Sequence, residues 1–162
     1  MKKIICLIIL FISLISTSGC VTLHEKFQRV DDIENISYIE FYFINFSYDS
    51  YMQNIPDSFQ PIKTLEKNLY KEIIEDLEFL DYESTLLIFA ASDPNFDLYG
   101  FIIKIAYDSG VYQLIGNSGT VYTYDNDDIV DGFHGTVKDE VWSDFIIKYL
   151  GNDIFDQYKL PF

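Results

Sequence analysis

Tyr99–Tyr124 reads YGFIIKIAYDSGVYQLIGNSGTVYTY, and the pattern in this stretch decides the fold class. Tyr99, Phe101, Ile103, Ile105 and Tyr107 alternate with Gly100, Ile102, Lys104 and Ala106. A period of two sends successive side chains to opposite faces, so the segment is expected to be a strand with one face in a core. Asp108-Ser109-Gly110 offers a turn, and Val111–Ile115 returns as the hairpin partner. Gly116-Asn117-Ser118-Gly119 turns again into Thr120–Tyr124. A three-stranded antiparallel meander follows, and turn formation is reason enough for the glycines at 116 and 119.

Working outward, Ile36–Phe46 repeats the alternation, with Ile39, Phe41 and Phe43 on one face and Tyr38, Glu40, Tyr42 and Ile44 on the other. Tyr48–Gln60 is expected to be a loop closing on Pro61. Ile62, Leu65, Leu69, Ile73, Leu77 and Leu80 recur at spacings of three and four, which predicts a helix near 62–80 with Pro61 at its start. Leu86–Ala91 (LLIFAA) is a short apolar run stopped by Asp93-Pro94-Asn95, and is expected to be a buried strand. Asp125–Gly135 is expected to be an acidic loop, and Thr136 the cap of a helix near 138–150. That helix would show Val141, Trp142, Phe145, Ile146, Tyr149 and Leu150 on its apolar face and end at Gly151. The last dozen residues read as a tail whose Phe155, Tyr158, Leu160 and Phe162 pack back on the body. The fold class is α+β: a mostly antiparallel sheet, with a strand near 36–46 and the meander near 99–124, and two helices packed on one face.

The amino terminus has a different character. Lys2 and Lys3 precede the apolar run Ile4–Ile15, and Ser16, Thr17, Ser18 and Gly19 lead to Cys20. A basic start, a short apolar run and a small-residue zone mark a secretory signal. The run is well short of the roughly 20 residues that cross a bilayer as a helix. Ser18-Gly19-Cys20 resembles the lipobox of bacterial lipoproteins, with Thr17 standing where Leu is usual. That resemblance implies cleavage between Gly19 and Cys20, a diacylglyceryl thioether on Cys20, and often acylation of the new amino terminus. Two or more acyl chains hold a protein stably on a membrane. Residues 1–19 are then a signal peptide, 20–35 the lipidated cysteine and a polar tether, and 36–162 a single domain. The expected address is the cell envelope, with Val21 (not Asp) after the cysteine favouring the outer membrane of a diderm cell.

Cys6 would leave with the signal, so Cys20 is the only cysteine of the mature chain, and a disulfide framework or cysteine metal site is excluded. The chain carries 11 basic and 26 acidic residues; without Lys2 and Lys3 the balance is 9 − 26 = −17. Such a charge argues against nucleic acid, whose binding needs Lys and Arg on phosphates. It suits solubility, a basic protein partner or divalent cations. The 13 Tyr and 14 Phe are mostly accounted for by core and strand positions.

Chemistry is sparse. Asp125, Asp127, Asp128 and Asp131 gather oxygens as a calcium site does, yet EF-hand spacing would put Ile129 at a ligand position and Lys138 at the bidentate glutamate position. His134 lies between glycines in Gly132-Phe133-His134-Gly135, but neither a G-x-S-x-G elbow nor a His-Glu-x-x-His pair accompanies it. No cofactor motif is present. The sequence therefore points to a membrane-tethered, acidic, non-enzymatic binding domain facing an envelope protein with a basic surface, as an inhibitor or immunity lipoprotein does. The competing expectation is an envelope hydrolase using His134 or a pair of carboxylates.

Overall fold

The meander forms as the alternation demands. In a computed structural model, which describes residues 22–44, 60–85, 100–116 and 119–158, it consists of β5 (Gly100–Tyr107), β6 (Tyr112–Ile115) and β7 (Val121–Asp125). Five further strands are described: β1 (Thr22–Glu25), β2 (Ile36–Ile44), β3 (Lys63–Thr64), β4 (Tyr82–Thr85) and β8 (Asp128–Phe133). The helices are α1 (Tyr70–Phe79), α2 (Asp139–Leu150) and α3 (Asn152–Tyr158). Six strands make one antiparallel sheet in the order β3-β2-β5-β6-β7-β8, and β1 pairs antiparallel with β4 in a second. The α+β class is as expected. The strand expected at 86–91 and all but Gln60 of the loop expected at 48–60 lie outside the described residues.

The faces of the sheet are unequal. Ile36, Ile39 and Phe41 of β2 join Phe101, Ile103, Ile105 and Tyr107 of β5 in the main core. Ile73, Ile74 and Leu77 of α1 close over it, with Trp142, Phe145, Ile146 and Tyr149 of α2. Fully burying an aliphatic side chain is worth about 1.5–3 kcal/mol, so this layer is the main source of stability. Tyr42, Ile44, Ile102, Leu114, Tyr122 and Tyr124 form a smaller cluster on the other face, to which no helix contributes among the described residues. Strict alternation would set Ile36 beside Tyr38. A register shift between Ile36 and Tyr38 leaves Ser37 as an extra residue and turns Ile36 back to the helix side.

Four expectations are corrected. The helix near 62–80 is shorter, because Lys63–Thr64 pairs with β2 as an edge strand; Ile62 N donates to Phe41 O and Leu65 N to Ile39 O. A 3-10 turn at Lys67–Leu69 then leads into α1. Pro61 thus precedes a strand. Its missing N–H fits an edge as well as a helix start, which is why the local signal misled. Residues 20–35 are not simply a tether. Thr22–Glu25 is paired with β4, and Phe27, only 2 % exposed, lies in the core. Thr136 does not cap α2: its N–H and C=O bridge to Glu83, and its hydroxyl donates to Glu83 O at 3.0 Å. As far as it is described the tail packs back as expected, with Asn152–Tyr158 forming α3: Phe155 stacks on Phe101 at 5.5 Å and Tyr158 meets Phe43 at 5.0 Å, while Leu160 and Phe162 lie outside the described residues. Gly151, at φ 88°, makes the break between α2 and α3 that a side chain would resist.

The acidic hairpin as candidate functional site

The fourth correction shapes the site. Asp125–Gly135 is not a loop, because β8 pairs with β7 through a two-residue turn at Asn126-Asp127. Both turn residues have positive φ, 50° and 66°. That is the geometry that matches the twist of a tight hairpin, and Asn and Asp tolerate it better than other side chains. Asn126-Asp127 flanked by Thr123-Tyr124 and Ile129-Val130 was the readable signal. The density of aspartates hid it.

The turn spreads its carboxylates instead of converging them. Asp125 and Asp128 stand opposite each other at the closing pair. Asp125 Oδ1 accepts from Asn126 Nδ2 at 2.9 Å, Asp127 Oδ1 from the Tyr112 hydroxyl at 3.1 Å, and Asp131 Oδ1 from Gly132 N at 2.8 Å. Among the described residues no three His, Cys, Asp or Glu side chains are grouped to hold a metal ion. The carboxylates form an exposed acidic rim.

Aromatic rings support this rim. Tyr112 and Tyr124 face each other across β6 and β7, stacked at 4.8 Å. Burial raises the Tyr124 phenol above its ordinary value. Lys104 Nζ lies 4.7 Å from the Tyr112 ring centroid and 5.8 Å from that of Tyr38. Lys104 is also directly opposite Glu40 in register, but the two charges are satisfied separately. The Glu40 carboxylate accepts from the hydroxyls of Tyr42 at 2.5 Å and Thr64 at 3.2 Å.

His134, just beyond β8, is exposed. Its Nε2 lies 3.0 Å from the Tyr122 hydroxyl and its ring meets Tyr122 edge to face at 5.4 Å. Gly132 makes this possible. It sits opposite Tyr122, and a Cβ there would fall 2.6 Å from Val121 O and 2.8 Å from Tyr122 Cδ1. His134 is therefore brought to a tyrosine, while Asp131 turns to its neighbour's amide. Gly19 and Cys20 lie outside the described residues.

No described helix is long and apolar enough to cross a membrane. Compared with known proteins, the chain matches no family model, no curated protein and no solved structure.

Proposed function

We propose that this protein is a lipid-anchored envelope lipoprotein whose acidic domain binds a basic protein partner, in the manner of an inhibitor or immunity lipoprotein. The observation that carries the reading is the run from Lys2 to Cys20, where basic start, short apolar stretch and Ser18-Gly19-Cys20 agree in order and length. The acidic rim at Asp125, Asp127, Asp128 and Asp131 supports the second half, since a field of one sign speeds encounter with the opposite charge and rejects like charge. Because β1 starts at Thr22, two residues beyond Cys20, the lipid would hold the folded body on a leash of about 7 Å. The domain then works close to the bilayer surface.

Labelling with a palmitate analogue, followed by fractionation, tests the anchor. The wild-type chain should carry label and sediment with membranes after a high-salt wash. Cys20→Ser should carry none and be released. Crosslinking in the intact envelope tests the partner half, and adducts only with neutral or acidic proteins would count against it.

A further inference from the structure

The two ends of the main sheet are treated differently. At one end β3 is two residues long, and Lys63 of that strand donates to the Tyr149 carbonyl. A very short edge strand offers little for another chain to pair with. At the other end β8 is six residues long, and the strand order places no described strand beyond it. Residues 128–132 are all exposed, with Ile129 at 43 % and Val130 at 59 %. Isoleucine and valine left in water on an edge with no described strand beside it are the makings of a template for an added strand.

The charge at this edge selects among occupants. Between Lys104 and Lys138 the sequence contains no lysine or arginine, while Asp125, Asp127, Asp128 and Asp131 all fall on the β7–β8 hairpin. A second copy pairing edge to edge would bring two such rows together, and like charges directly opposite are destabilising. A register shift leaves Val130 as an extra residue between the pairs Tyr124–Ile129 and Thr123–Asp131. Bulges and charges on edge strands are the usual means of blocking self-pairing. The charges do not oppose a strand of opposite sign, and the bulge is confined to Val130, with regular pairing to β7 on both sides of it. We infer that the outer edge of β8 receives an extended segment of a partner protein, with Lys or Arg opposite Asp128 and Asp131 and aliphatic side chains against Ile129 and Val130. Backbone pairing holds the segment and alternate side chains select it. This rests on the domain being a binder of a basic partner, and it names the surface and the form of the bound segment.

The probe is a capped nine-residue peptide alternating Lys and Val, titrated into the folded protein while amide hydrogen exchange is followed residue by residue. Saturable binding should slow exchange at β8. It should weaken by about fivefold to tenfold in Asp128→Asn/Asp131→Asn, as expected for two exposed ion pairs. The same peptide with every backbone nitrogen methylated keeps its charge and side chains but loses its donors on both edges, and it should not bind. Equal binding of the methylated peptide, protection on another face, or no binding at all would each overturn the inference. If a basic partner is nonetheless crosslinked in the envelope through another surface, the proposed function stands and only the β8 assignment fails.

Discussion

Gln113 Nε2 donates to the backbone carbonyl of Gln28 at 2.9 Å, tying the middle of β6 to the segment that follows β1. The same amide reaches Thr123 Oγ1 at 3.3 Å, and Gln113 Oε1 accepts from the Tyr107 hydroxyl at 2.7 Å. A glutamine 2 % exposed is tolerable only when its polar atoms are so occupied.

Gln113→Leu should therefore cost about 1–3 kcal/mol, because the Tyr107 hydroxyl and Thr123 Oγ1 each lose a buried hydrogen-bond partner. Phe27→Ala should cost about 3–5 kcal/mol through the cavity it opens. A polar tether would predict no change for Phe27→Ala. Urea unfolding followed by circular dichroism separates the two expectations.

Gly132→Ala places a methyl group against backbone of β7, where little can yield. The expected cost is about 1–3 kcal/mol. The loss should be accompanied by a change in the His134 imidazole resonances, since the Tyr122 ring must shift to admit the methyl. An unaltered His134 signal would show that Gly132 does not position this pair.

Lys104→Glu removes a cation from the Tyr112 and Tyr38 rings and sets a carboxylate opposite Glu40. Together these should destabilise by about 1–2 kcal/mol. Lys104→Met keeps most of the stem and should lose less. Thermal melts of the three proteins should rank in that order, with wild type highest.

Stability should fall on the alkaline side. Burial pushes the Tyr107 phenol up to about 12 and drives those of Tyr82, Tyr124 and Tyr149 upward too, the hydrogen bond to Asp76 adding to the rise at Tyr149. Lys148 is also raised, by hydrogen bonds to Asp76 and Glu72. In each case the native state keeps a proton that the unfolded chain releases first. The stabilisation is complete below the unfolded pKa and is lost as pH rises through the folded one. Tyr107→Phe should make the fall between pH 10 and 12 shallower by about 1–2 kcal/mol. An unchanged slope would remove Tyr107 from the account.

The fold class was legible because period-two and period-3.6 patterns arise from local geometry, and Phe101, Ile103, Ile105, Ile73 and Leu77 lie in the core those patterns assigned them. Turn residues at Asp108–Gly110 and the glycine ending α2 were legible for the same local reason. What only the tertiary structure decided is pairing between distant segments. Thr22–Glu25 becomes a strand because β4 is there to pair with it, Lys63–Thr64 because β2 is, and Thr136 leaves its capping role for Glu83. A backbone donor satisfied across more than twenty residues of chain leaves no mark in its own neighbourhood. At the candidate site, composition gave the aspartates and His134, but the reversal at Asn126-Asp127 set the carboxylates apart on an exposed edge and laid His134 against Tyr122. The direction a charged side chain faces depends on which strand lies beside it, and that is fixed by the assembled sheet.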